Sequence, residues 1–116
     1  MTKFRVNADA VRHARQLIDT GGYDDRTEWS DAAPSADDAN TEIDHAGFAE
    51  FAKWHLAINP NASEGTKGSL AFPYGDFKKV NRAALIHAKQ RAAQNNHDDV
   101  EQAAADLLER LDSKRD

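Results

Sequence analysis

Five histidines, His13, His45, His55, His87 and His97, are the residues of this chain best suited to metal or proton chemistry. Zinc sites built on one helix place two imidazoles three or four residues apart, and no two of these histidines have that spacing. Bundle metal sites repeat an inward Glu-x-x-His pair on separate helices. Glu42 and His45 supply one copy, so no metal and no other cofactor is expected. The chain has no cysteine. That removes disulfides, thiol nucleophiles and Cys-ligated zinc, and it fits a cytoplasmic setting. Ser63 and Thr66 lie in a Gly-containing stretch without a Gly-x-Ser-x-Gly elbow. The run Ser63-Glu64-Gly65-Thr66-Lys67-Gly68 also lacks the spacing of a phosphate loop and reads as a turn bonded to its own backbone.

Two groups of residues keep a functional reading. On a helical wheel His55 falls between Phe48 and Phe51, inside the apolar arc of a helix expected over 47–58. There it is either a core histidine held by a carbonyl or, with Trp54 and Asp76, the acid–base centre of a small enzyme. The second group is cationic. Residues 77–96 carry Lys78, Lys79, Arg82, Lys89 and Arg91 with no acid, whereas residues 21–50 carry nine acids and one Arg. With Arg82 at 0°, Lys89 lies at about 340° and His87 and Arg91 near 140° and 180° at 100° per residue. Cations leaving on opposite sides do not form the single exposed stripe of a major-groove helix. The net charge of −5 also lacks the usual footprint of nucleic-acid binding. The acidic stretch lying against the basic one is the plain alternative.

The elements that must position these groups follow from pattern and punctuation. Asn7 caps a first helix with Ala10, Val11, Ala14, Leu17 and Ile18 on one arc, ended by Gly21-Gly22. Residues 23–34 form an acidic loop in which Trp29 either anchors to the core or marks a partner-binding segment. Ser35 and Asp38 make a capping box for a short helix over 36–46, with Ala36, Ala39, Ile43 and Ala46 as its stripe, interrupted at Gly47. The apolar segment 47–58 reads as a central helix stopped by Asn59-Pro60. Leu70-Ala71-Phe72 and Phe77–Val80 flank Pro73-Tyr74-Gly75-Asp76, the pattern of a hairpin over about 70–80. Asn81 caps a helix over 82–94 and Asp98 one over 99–112, the latter with Val100, Ala103, Ala104, Leu107, Leu108 and Leu111 on one arc. The final Ser-Lys-Arg-Asp is expected to fray.

The stretch from Phe51-Ala-Lys-Trp-His55 through Thr66-Lys67, Phe72-Pro-Tyr-Gly-Asp-Phe77 and Val80-Asn-Arg82 to Arg91-Ala-Ala-Gln94 and Leu107-Leu-Glu-Arg-Leu-Asp112 resembles a family of small uncharacterised bacterial proteins, mostly actinobacterial. Thr66-Lys67, Phe72-Pro73, Gly75 and Arg82-Ala-Ala-Leu-Ile86 are also similar to a short module of phage-related proteins, some associated with capsid maturation. The resemblance implies that Trp54-His55 and the hairpin with its following helix form one unit. It carries over no catalytic residue.

At 116 residues the chain is one domain, 1–116. Of its 40% hydrophobic residues 21 are Ala, and Leu, Ile, Val and Phe together number 20. That composition calls for small-residue helix contacts around a modest core. No segment approaches the roughly 18 apolar residues of a membrane span, and no signal peptide is visible. The expected fold is mainly α, a single compact domain of four to five helices with one small two-stranded hairpin. The expected function is a non-enzymatic interaction module binding a protein partner through Tyr74, Phe77, Lys78, Lys79 and Arg82, where aromatics and cations coincide. A nucleic-acid accessory role through the 78–91 cations is the first alternative, and an enzyme around His55 the second.

Overall fold

A computed structural model describes residues 4–115. Strand β1 (Arg5–Val6) leads into α1 (Ala8–Asp19), and β2 (Tyr23–Asp24) precedes a single-turn α2 (Trp29–Ala32). Then come α3 (Ala36–Ala46), α4 (Phe48–Ala52), β3 (His55–Ile58), a 3-10 turn at Lys67–Ser69 and β4 (Leu70–Pro73). Finally β5 (Val80–Asn81) runs straight into α5 (Arg82–Gln94), followed by α6 (Asp98–Lys114). The mainly helical expectation holds, with more strand than one hairpin. The Cα radius of gyration of 13.3 Å is that of one compact unit of this length. Among the described residues no helix is long and apolar enough to cross a membrane.

The core sits where α1, α5 and α6 meet the sheet. Ala84, Ala88 and Ala92 recur every fourth residue on α5 and are enclosed, as are Ala10 and Ala14 on α1 and Ala104 on α6. Methyl groups at that spacing share one helix face and let neighbouring axes approach closely. Bulk comes from a few large side chains, Ile18, Leu56, Leu85, Val100, Leu107 and Leu111, all buried. Each is worth about 1.5–3 kcal/mol on burial, so a core this lean depends on every one of them. By contrast α3 buries no residue, and its Ala36 and Ala46 are exposed.

Two of the four expected caps are present, and Asp98 is not one of them: it is the first residue of α6, His97 stands at the cap position and no side chain caps that end. The Asp38 N–H donates to Ser35 Oγ at 3.1 Å and the Ser35 N–H to Asp38 Oδ2 at 3.0 Å, closing the capping box. Asn81 Oδ1 accepts from the Ala84 N–H at 2.9 Å, while its Nδ2 donates to the Thr27 carbonyl at 3.0 Å. Asn7 precedes α1 but makes no side-chain cap. Its buried amide instead donates to the Ala52 and His55 carbonyls at 3.0 and 3.1 Å, tying the start of α1 to the α4–β3 junction.

Three expectations are corrected. Residues 47–58 are not one helix: α4 stops at Ala52 and the chain crosses Lys53-Trp54 into β3. β3 is the middle strand of an antiparallel sheet ordered β1-β3-β4, and its successive residues Leu56 and Ala57, which point to opposite faces, are both fully enclosed. A short apolar run of that kind has the same composition as a buried helix segment. Second, residues 70–80 do not form a hairpin. β4 pairs with β3, Ala57 opposite Ala71, and β5 pairs in parallel with β2, Tyr23 opposite Val80. Only a single bridge, Gly75 to Val80, joins the two arms. Third, residues 23–34 are not all loop, since they contain β2 and α2. At the C-terminus Ser113 and Lys114 complete α6, and Asp116 lies outside the described residues.

Gly75 fixes the geometry between β4 and β5. A Cβ there would stand 2.3 Å from the Lys79 carbonyl oxygen and 2.6 Å from the Trp54 ring. Overpacking a filled core costs about 1–3 kcal/mol even where side chains can yield, and here part of the obstruction is backbone. Gly75→Ala is expected to lower unfolding free energy by about 3 kcal/mol or more in urea titration. Gly68→Ala, where nothing lies within 4 Å, should stay within about 0.5 kcal/mol of the parent.

Candidate binding groove

The five residues expected to form the contact surface do not share one face. Tyr74 has no exposed surface. Its ring stacks on Trp54 at 5.4 Å, its hydroxyl donates to the Lys53 carbonyl at 2.7 Å, and burial pushes its phenol well above the ordinary value. Tyr74 is therefore a core residue and leaves the contact set. Phe77 is half-buried against Phe51 and Trp54, at centroid distances of 5.6 and 6.1 Å. Lys78 and Lys79 are exposed and make no ion pair among the described residues, while their backbone N–H groups donate to Asp76 Oδ1 at 3.0 and 2.8 Å. The Arg82 guanidinium grips both Asp112 oxygens at 2.7 and 3.2 Å, which lowers that carboxyl's pKa and raises its own. Arg82 is thus held by the molecule's own carboxylate. The acidic stretch does fold beside the basic one: the β2–β5 pairing sets Asp24 next to Asn81, and Lys78 shares a cleft with Asp38 and Glu42.

The residues of the acid–base alternative have separate structural tasks. His55 stands on β3, not on a helix, with Nδ1 3.2 Å from the Phe51 carbonyl and its ring 4.8 Å from that of Phe51. Burial lowers its pKa to about 4, so it is neutral at pH 7. Asp76 holds the turn N–H groups, and Trp54 packs on Gly75 and Tyr74. Among the described residues no hydrogen bond joins the three, and no three His, Asp or Glu side chains converge as a metal set. A different histidine, His13, reaches the centre. Its Nδ1 lies 2.9 Å from the Tyr74 hydroxyl and its ring sits edge-on to Trp54 at 4.7 Å. Because that hydroxyl donates to Lys53, Nδ1 carries the proton in this contact. Burial, then the nearby Lys53 charge, lowers the His13 pKa. Sixty-one residues separate His13 from Tyr74, and no local pattern marks the pair.

The cations on the far side of α5 open onto a groove. Arg82 turns toward α6, so His87 and Arg91, about 140° and 180° around the helix, face the other way. They line a cavity of about 570 Å³ between α5 and β4. Phe4, Trp29 and Phe72 wall it, with Phe4 edge-on to Phe72 at 5.8 Å and against His97 at 4.7 Å. Trp29 does not join the core, contrary to its expected role as the loop's anchor; it is half-buried on the groove wall. Phe72 holds φ at 61°, a left-handed conformation that is costly for an aromatic residue. None of the residues lining the cavity is a carboxylate, and Arg91 makes no ion pair among the described residues. Past Trp29 and His87 the groove continues into a shallower cleft of about 450 Å³ beside Ala83, Ile86, Gln90 and Glu28.

Compared with family models, with curated proteins and with solved structures, the chain finds no match.

His55, half-buried on β3, makes stability pH-dependent with a definite sign. Its folded pKa lies below the unfolded value of 6.5, so its contribution is complete above that pH and is lost as pH falls toward 4. The loss is expected to approach about 1.4 kcal/mol per pH unit and total roughly 3 kcal/mol. Urea titrations between pH 7 and 4 should show that slope, and His55→Gln should flatten it. Equal slopes in both proteins would mean that the imidazole is not enclosed.

Proposed function

We propose that this chain is a non-enzymatic interaction module that receives a protein partner in the groove between β4 and α5. One observation carries the reading. Phe4, Trp29 and Phe72, from three distant parts of the sequence, converge on a concave surface without a carboxylate, in a chain with 20 acids against 15 Lys and Arg. Half-exposed aromatic rings with an Arg beside them are the usual anchors of interfaces, and concave, mostly apolar surfaces are the usual receptors. The contact surface moves accordingly from the Tyr74–Arg82 set to this groove, with Phe77, Lys78 and Lys79 as a separate accessible turn. Resemblance of the 66–86 stretch to a phage-related module supports a partner of the assembly kind.

The alternatives have less support. A nucleic-acid reader needs its cations on one face, and Arg82 and Arg91 leave α5 on opposite sides, the first already paired with Asp112. An acid–base enzyme would need His55, Trp54 and Asp76 to meet around one cavity, and each is engaged elsewhere.

Affinity capture with quantitative mass spectrometry tests the proposal, using the tagged chain as bait. Trp29→Ala removes a ring outside the core and should leave the circular dichroism spectrum unchanged while reducing specific partners about tenfold or more. The Lys78→Ala/Lys79→Ala variant should retain them. The reverse pattern would return the contact surface to the turn.

A further inference from the structure

We infer that the occupant of this groove is an extended peptide segment carrying apolar side chains and a carboxylate at one end, the carboxylate seated by Arg91. The inference rests on the groove being the contact surface, and it specifies the chemistry of what fits. Shape argues for a linear ligand. The two lobes run along α5 from Asn95 to Ala83, on the order of 18 Å at 1.5 Å per helical residue. That is the reach of roughly five extended residues. Trp29 and His87 border both lobes, so two side chains of such a segment can lie on either side of the indole.

Charge sets the polarity. Among the described residues the deeper lobe has Arg91 as its one permanent charge, with His97 and Asn95 beside it and no acid. A carboxylate there gains the only available ion pair, and Arg can hold it bidentately. An ammonium would meet a like charge. Among the described residues the shallower lobe has Glu28 as its only permanently charged side chain, so a second acid is disfavoured at that end. The lining between them is apolar: Ala71, Ala88, Phe72 and the Trp29 ring. The left-handed backbone of Phe72 keeps its ring directed into this floor next to Phe4, and strained residues of that kind concentrate where a ligand is held.

Selection from a library of random nonapeptides displayed on phage, with the full chain immobilised, tests the inference. The expected outcome is enrichment of peptides with two apolar or aromatic positions and an Asp, Glu or free C-terminal carboxylate at one end only. Binding should be lost in Trp29→Ala. Arg91→Glu, a change on an exposed helix position, should switch the selected end residue from acidic to Lys or Arg and weaken the original peptides at least tenfold. Amidating the peptide C-terminus then separates an end carboxylate from a side-chain one. Trp29-dependent peptides whose end charge is unaffected by Arg91→Glu would overturn the inference while leaving the groove as the contact surface. Absence of any Trp29-dependent enrichment would overturn both.

Discussion

The indole of Trp54 lies so close to the backbone of Gly75 that no side chain fits between them, and much of the fold is arranged around that contact. Stacking of Tyr74 on the same indole fills the space beside it, and the Tyr74 hydroxyl reaches back to Lys53 and His13. Gly75 then bridges to Val80, which places β5 against β2 and sets Asn81 as the cap from which α5 starts. A ring, a residue without a side chain and a buried phenol thus fix where the sheet ends and where the helical layer begins. The polar groups of this cluster are satisfied, and the described residues contain no buried side-chain nitrogen or oxygen without a partner. That completeness matters because a buried unpaired polar group costs about 1–3 kcal/mol, a large fraction of the stability of a domain this size.

The groove follows from the same constraint. With α5 launched from the Tyr74–Val80 knot, its alanine face packs toward α6, and the adjoining face of His87 and Arg91 is left looking across β4. Phe72 lies two residues before the knot and Phe4 just ahead of β1, so their rings meet on the uncovered side. The short α2 brings Trp29 to the same place. Helix α5 therefore separates two kinds of cation: Arg82, consumed internally by Asp112, and Arg91, open beside aromatic rings.

Much of the helical layer was legible because its signals are local. The capping box at Ser35 and Asp38, the break at Gly47, the Asn81 cap and the 3.6-residue stripes of α1 and α6 need no distant partner to be recognised. The opposed directions of Arg82 and Arg91 were also legible from the wheel alone. What failed depends on residues far apart in sequence. His55–Ile58 is a strand because β1 and β4 flank it, and the apolar pattern alone is equally that of a buried helix. Leu70–Phe72 and Val80 were recognised as strand, but each pairs with a different partner rather than with the other. Two-residue strands such as β2 and β5 have no period to read. The groove lies beyond local signals for the same reason: the Arg82–Asp112 pair spans 30 residues, and the convergence of Phe4, Phe72 and His97 joins distant parts of the chain. Only the possibility that Trp29 marks a partner-binding segment pointed toward it.

The two tryptophans have opposite fates, Trp54 sealed in the knot and Trp29 half-exposed beside positive charge. Fluorescence quenching by iodide and by caesium measures this directly on the intact chain. One accessible and one protected emitter are expected, with iodide quenching the accessible one more effectively than caesium because Arg91 borders its groove. Two equally protected indoles, or an accessible indole quenched better by caesium, would contradict that contrast.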